Sequence, residues 1–419
     1  MSQTISTQPA IPAPARTQMI DVSKLAPEKA IAKLIEHAVA LGASDLFLMS
    51  NEQHLAVSVR HLGIMMPISV ETPEAAKRIL THVRNMSGMD LNDRRRPADG
   101  RWIYRGEDGD GVDLRINTVP TVYGEDMAIR LLVRNHALLD LNQIGMEPAQ
   151  LQVYRTLIGG PSGLVLITGP TGSGKTNTLY ASLTALNDGK RKINTIEDPI
   201  EYAVEGLRQS QVNTHIQLTF AELLRSVLRQ SPDVIMIGEI RDEETAKTAV
   251  HAANSGMLVL ATLHAPTAAA GIQSMRALGV PNHFLSVALR GIVSQRLVRT
   301  LDLSSRMEFD ISGAPDTFDE IKHHLKPGDG QKLYAPRPAE SNQMTGYTGR
   351  TGVYELLTMS SAMRSMIADG RTAKEIRDRS ISDGMLEFRQ AALLKVAHGL
   401  TSTEEIFRVI PTEVLLIDE

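Results

Sequence analysis

The residues best suited to chemistry are Gly169-Pro170-Thr171-Gly172-Ser173-Gly174-Lys175-Thr176, a glycine-x4-glycine-lysine-threonine run. That spacing suits a polyphosphate, because backbone N–H groups can close around an anion only where side chains do not obstruct them. Lys175 would neutralise the β- and γ-phosphates, and Thr176 would offer its hydroxyl to Mg2+. Leu164 to Thr168 reads as the apolar strand leading in, and Lys175 to Leu186 as a helix whose positive end faces the same anion. The bound species expected at Gly169 to Thr176 is therefore ATP with Mg2+.

Hydrolysis also needs carboxylates. Asp233-Val234-Ile235-Met236-Ile237-Gly238-Glu239 delivers Glu239 from the end of an apolar strand. In a parallel sheet that end faces the ligand crevice, so Glu239 could reach Mg2+ through a water or orient the attacking water. Glu197-Asp198-Pro199-Ile200-Glu201 also follows a strand. Carboxylates gathered near a triphosphate are costly unless a metal or an arginine compensates them. His264 ends the next strand, Leu260-Ala261-Thr262-Leu263-His264, and reads as a γ-phosphate sensor or as a satisfied structural histidine.

These groups need elements to hold them. From Gln150 onward short apolar runs alternate with helical patterns: Ile193 to Ile196, Val234 to Ile237 and Leu258 to Leu263 as strands, and Glu243 to Asn254 as a helix. Thr219 and Glu222 have capping-box spacing and open a helix through Arg229. The alternation predicts a mostly parallel sheet covered on both faces. Ahead of it, helical patterns at Pro27 to Leu41 and Thr72 to Met86 mix with β-like runs at Asp45 to Met49, His54 to Arg60, Val112 to Val119 and Asp126 to Val133. That mixture predicts a smaller α+β domain over residues 28–134. Asn92 to Gly111 reads as a polar, arginine-dense stretch and residues 303–348 as irregular.

The chain has 419 residues, a formal charge of −4 and no cysteine. Disulfides and thiolate zinc sites are excluded, and a reducing, cytoplasmic setting fits. The charge gives no overall basic footprint for nucleic acid. Residues 1–27 lack the basic flank and apolar core of a secretory signal and read as a flexible tail.

The segments LVLITGPTGSGKT, INTIEDPIEY, SPDVIMIGEIRD and LVLATLH, in this order, resemble the ATPases that power type II secretion and type IV pilus assembly. The likeness extends over roughly residues 28–300 and 345–410. It implies a PAS-like N-terminal domain (28–134), a linker (135–149) and a RecA-like ATPase domain with a C-terminal helical portion (150–419). It further implies a homo-hexamer with nucleotide sites between the domains. Such a ring would sit in the bacterial cytoplasm, peripheral to the inner membrane through a platform protein, with no direct contact to nucleic acid. By resemblance Glu201 is the general base, Glu239 the Walker B glutamate, and His264 part of the histidine box. Arg115, in DLRINTVPT, and Arg130, in AIRLL, resemble the arginines that reach the γ-phosphate across the domain interface. Arg101, in ADGR, stands between that role and a surface ion pair. Arg225, Arg229, Arg241 and Arg296 read as structural partners of the acidic segments.

Three positions depart from the family's pattern. The loop at about 303–348 has the place of a four-cysteine zinc loop but contains no cysteine, so no zinc is expected. Met257 stands where an earlier histidine of the histidine box is usual, and Ser231 where an aspartate is usual. GYTGRTGVYELL and the C-terminal helices resemble assembly or export members more than pilus-retraction members. The N-terminal region is short for the extra docking domain of many export ATPases. The alternatives are a pilus-retraction ATPase, a DNA-directed motor of a conjugation or uptake system, and a degenerate nucleotide-binding scaffold.

Overall fold

The computed structural model describes residues 19–106, 111–133 and 140–415. Most of the expected tail (1–18) and part of the expected linker (134–139) lie outside the described residues. The chain divides into two compact units, one of Met1–Arg134, Asp302–Met307 and Pro336–Thr348, the other of Asn135–Leu301, Glu308–Ala335 and Gly349–Glu419.

The first unit contains α1 (Pro27–Ala40), β1 (Asp45–Ser50), β2 (Leu55–His61), β3 (Ile64–Glu71), α2 (Pro73–Met86), β4 (Ala98–Arg105), β5 (Gly111–Thr121) and β6 (Gly124–Val133). Its strands form one six-stranded sheet in the order β3-β2-β1-β6-β5-β4, antiparallel at each pairing. Alternate residues such as Leu46, Leu48, Val57, Val59, Leu114, Ile116, Ile129 and Leu131 are buried together with Ile31, Leu34, Ile35, Ile79, Leu80 and Val83 of the two helices. The helices thus cover one face, and the intervening residues of each strand fall on the other. Ile20 and Val22 belong to this packing: the Ile20 amide bonds the Ile68 carbonyl at 2.8 Å, and Val22 is buried. Fully buried Arg84 pairs with Glu125 and donates to the Asp90 and Asp93 carbonyls at 3.0 and 2.7 Å, fixing the connector into β4.

The remaining elements are α3 (Pro148–Ile158), β7 (Gly163–Thr168), α4 (Lys175–Leu186), β8 (Ile193–Glu197), β9 (Arg208–Gln211) and α5 (Phe220–Leu228). Then come β10 (Val234–Ile237), α6 (Glu243–Asn254), β11 (Leu258–Leu263), α7 (Ala268–Ala277), α8 (Asn282–Ala288) and β12 (Leu289–Leu301). The chain closes with β13 (Met307–Asp310), β14 (Lys332–Ala335), β15 (Tyr347–Thr358), α9 (Ser361–Ala368), α10 (Ala373–Ser382), α11 (Phe388–Ala397), α12 (Thr403–Val409) and α13 (Thr412–Leu415).

The second sheet runs β15-β12-β7-β11-β10-β8-β9, with parallel pairing from β12 through to β9. Strands β7, β8, β10 and β11 are buried at every residue, because helices cover both faces. Leu164, Leu166, Ile235, Ile237, Val259 and Ala261 pack with Phe220, Leu224, Ala246, Ala249, Ile272 and Met275 on one side. Val165, Ile167, Val234, Met236, Leu258 and Leu260 pack with Tyr154, Leu157, Leu179 and Leu183 on the other. This is the doubly covered parallel sheet of a RecA-like core. Thr219 caps α5 by accepting from the Glu222 amide at 3.2 Å, as the spacing predicts.

The cysteine-free stretch is less irregular than its composition predicts. β13 and β14 form a two-stranded ribbon inside it. Buried Asn342 donates to Asp302 Oδ2, Ser305 Oγ and the Arg337 carbonyl at 3.0, 3.0 and 3.1 Å. Its Oδ1 accepts from the Ala339 and Gly346 amides, both at 2.9 Å. Hydrogen bonds from Ser304, Asn342 and Ser305 hold the Asp302 carboxyl well below the usual carboxylate range. A neutral amide therefore draws together segments about forty residues apart in sequence (|i−j| of 40 for Asn342 to Asp302). Replacing Asn342 by Ala strands buried partners and is expected to lower unfolding free energy by about 2 kcal/mol. Chelation with EDTA should leave the wild-type melting midpoint unmoved. Thermal melts of both proteins check this, and a drop on chelation would count against it.

Candidate active site

The loop that leaves β7 has the backbone its sequence demands. Gly169, Gly172 and Gly174 have φ of 143°, 76° and 87°, values that L side chains rarely adopt. A Cβ on Gly169 would lie 2.5 Å from the Gln295 carbonyl oxygen and 2.6 Å from Ser173 Oγ. α4 begins at Lys175 directly after Gly174, so its first amides open onto the loop. The hydroxyl of Ser173 is buried without a hydrogen-bond partner among the described residues. A cradle closed to side chains, a helix N-terminus and Lys175 together fit a polyphosphate. Thr176 is exposed on the first turn of α4, while Pro170 and Thr171 form the open rim. Lys175 Nζ donates to the Gly169 and Pro170 carbonyls, both at 2.9 Å. Burial lowers its pKa, Glu239 opposes that effect, and Arg296 adds to it.

The sheet order sets the other groups beside this loop. β11, which leads to His264, neighbours β7, and β10, leading to Glu239, neighbours β11. His264 Nε2 lies 2.8 Å from Glu239 Oε1. Arg241 Nε donates to Glu239 Oε2 at 2.7 Å, and its Nη1 lies 3.4 Å from Asp198 Oδ2. Arg241 therefore supplies the positive charge that gathered carboxylates require, and the bond to Glu239 raises its own pKa.

The three carboxylates of the acidic segment have separate fates. Glu197 is buried, accepting from Tyr180 OH, from Thr195 Oγ1 at 2.5 Å and from Gln209 Nε2 at 3.1 Å. Desolvation and this carboxylate push the Tyr180 hydroxyl far above the ordinary tyrosine value. Asp198 faces Arg241. Glu201 is half-buried on the loop between β8 and β9. Gln211 and Gln209 lace that loop, accepting from the Ile200 amide at 3.2 Å and the Val204 amide at 2.8 Å.

Other expectations are redistributed. Arg225 pairs with Glu244 on α6, and Arg229 bonds back to the Arg225 carbonyl and Ser226 of its own helix. Neither serves the acidic segments, because α5 lies against α6. Met257 is half-buried and packs on the apolar core, with its backbone carbonyl accepting from Gly163 at 3.0 Å. Ser231 has φ 50°, a left-handed conformation that aspartate tolerates better than serine.

In the first unit, register aligns Arg60, Asp45, Arg130, Arg115 and Arg101 in one row across β2, β1, β6, β5 and β4. Directly opposed residues share a face, and like charges so placed are destabilising. Acids relieve the flanks: Arg101 forms a fork with Asp113 at 2.9 and 2.6 Å, and Arg130 lies 3.4 Å from Asp45. Arg115, between them, has no ion-pair partner among the described residues. The row is suited to an anion.

Gln295, which no motif singles out, completes the second unit's site, whereas Arg296, expected as a partner of the acidic segments, bonds elsewhere. Gln295 on β12 is buried against the phosphate loop. Arg296, next to it, donates to the Pro266 carbonyl at 2.6 Å and lies over the Phe388 ring. Nearby Glu355 on β15 is buried and accepts the first amides of α7 (Ala268, 3.0 Å) and α11 (Phe388, 3.3 Å). The signal available in the sequence is three polar residues, Ser294-Gln295-Arg296, flanked by Ile292-Val293 and Leu297-Val298.

The sequence model of a family described as "Type II/IV secretion system protein" matches residues 22–408. The chain is 40% identical over 380 residues to "Type II secretion system protein E" of Dickeya dadantii, covering 91% of this chain and 75% of that one. It is 37% identical over 387 residues to "Type IV pilus assembly ATPase PilB" of Thermus thermophilus, covering 92% of this chain and 43% of that one. Among solved structures it resembles "Pilus Retraction Motor PilT and Bound ADP", with a TM-score of 0.60 and 27% identity over 90% of this chain and 96% of that one.

Burial pushes the Glu355 carboxyl up to about 7, against the pull of its two amide donors. A carboxyl with a raised folded pKa holds its proton longer in the folded state, so stability falls as pH rises through that window. Between pH 5 and 8 the wild type should lose stability relative to Glu355→Gln, by on the order of 3 kcal/mol at most. Paired denaturant titrations at both pH values read this. A constant difference between the proteins would contradict it.

Proposed function

Because this chain belongs to the type II/IV secretion system protein family, we propose that it hydrolyses ATP to drive export or pilus assembly. The observation that carries this is the glycine loop of β7, whose conformation leaves room for phosphate and beside which lie Glu239 and the histidine bonded to it. Lys175 and the amides of the loop and of α4 bind the β- and γ-phosphates. Thr176 and Glu239, the latter through a water, would hold Mg2+, which would neutralise charge on the phosphate oxygens. Glu201 takes a proton from the water that attacks the γ-phosphorus as the bond to the bridging oxygen breaks. His264, bonded to Glu239, lies beside the loop to report on the γ-phosphate. Arg115 and Arg130 serve the charge that grows on the transferring group.

The rest follows the relatives. The working form is a cytoplasmic homo-hexamer at the inner membrane of a bacterium, acting on a platform protein. No described helix is long and apolar enough to cross a membrane. A retraction motor is the second reading, favoured by the likeness to PilT. It ranks behind export and assembly because identity to the type II protein is 40% against 27%.

Glu201→Gln should lower kcat by about 100-fold or more while leaving Mg-ADP binding near wild type, as loss of a general base does. Arg115→Gln should lower kcat by at least about tenfold, since it removes a charge that acts in the transition state. Steady-state turnover of purified proteins decides both. Full activity of the Glu201 variant would remove it from the base role.

A further inference from the structure

We propose that Gln295 is a positioning residue for nucleotide, setting the direction of a phosphate-loop amide from the neighbouring strand. The proposal rests on the nucleotide reading above. Gln295 is 1% exposed. Its Nε2 donates to the Ser173 carbonyl at 2.7 Å, and its Oε1 accepts from Thr178 Oγ1 at 2.8 Å. A carbonyl can only accept, so the amide nitrogen must face Ser173, and the Thr178 hydroxyl secures the opposite end.

The consequence follows from the peptide plane. The C=O of Ser173 and the N–H of Gly174 belong to one planar trans unit and point in opposite directions. Holding the carbonyl toward β12 turns the Gly174 N–H away from β12, to the side where the loop is open. Glycine at 174, with φ of 87°, would otherwise let this peptide rotate at little cost. Gln295 acts twice more on the same loop. Its own carbonyl oxygen lies where a Cβ on residue 169 would fall (2.5 Å), and its side chain lies 3.3 Å from the Cβ position of residue 174. One residue thus limits both glycines that frame the loop, and its amide orients the peptide between Ser173 and Gly174.

A group that only fills the core changes stability. A group that aims a binding amide also changes affinity, and as uniform binding it raises KM with little change in kcat. The full chain is assayed as Gln295→Leu, which keeps approximate volume but lacks the donor, and as Thr178→Val, which frees the far end of the amide. Mg-ADP is the binding probe, Mg-ATP turnover gives KM and kcat, and Lys175→Ala is the control. Gln295→Leu should raise the Mg-ADP Kd and the Mg-ATP KM about tenfold, the worth of one well-placed hydrogen bond, with kcat within about twofold. Thr178→Val should raise both about threefold, and it tests the idea even if the first variant does not fold. The nucleotide-induced rise in melting midpoint, taken from each variant's own baseline, should shrink in the same order.

Unchanged Kd and KM in the folded variants, with Lys175→Ala losing binding, would overturn the role of Gln295 and leave the nucleotide reading standing. Wild type that binds neither Mg-ADP nor Mg-ATP would overturn both.

Discussion

The second unit is organised around a stretch of backbone that must aim several N–H groups at one point with no side chain between them. Gly169 and Gly174 meet that demand locally, but flexible glycines do not hold an aim by themselves. The parallel sheet supplies what they lack. β7 brings the chain in, α4 takes it out, and β12 braces it laterally. β11 and β10 end where their following residues, His264 and Glu239, lie next to the loop. The strand order, the glycines and the buried amide of Gln295 answer one geometric requirement.

Charge imposes the second requirement. Glu239 and Asp198 share Arg241, and Glu197 is satisfied by Tyr180, Thr195 and Gln209. Glu239 and Asp198 are thus compensated by one shared arginine, and Glu197 by neutral donors. The arginine row of the first unit shows the opposite state, with more positive charge than its two aspartates offset. Aligned like charges cost stability, so an anion bound on this row would relieve a repulsion that the sheet otherwise carries.

Much of this was legible in the residues. The loop, the boundaries of α4 and α6, and strands β10 and β11 follow from glycine spacing and continuous apolar runs, because strands buried on both faces leave that plain signature. The edges were not legible. β3 contains Pro67 and a shifted register, and β4 carries Arg101 and Arg105, both features that keep an edge strand from reading as a strand. Gln295 was hidden for another reason. Its partners Ser173 and Thr178 lie 122 and 117 residues away, a distance bridged only when β12 pairs with β7. Arg225 was assigned to the acidic segments when its neighbour is Glu244, because helical spacing gives a residue's face but not which helix meets it.

Glu355 joins two helices that a loop could have left independent. α7 starts four residues after His264, and α11 opens the C-terminal helical portion; both place their first amide on the same buried carboxylate. Slack between these helices would require breaking a bond to a desolvated acceptor. A shift of α7 relative to α11 therefore costs at least one of these two bonds. In engineering terms, Glu355 is a rivet through the starts of both helices.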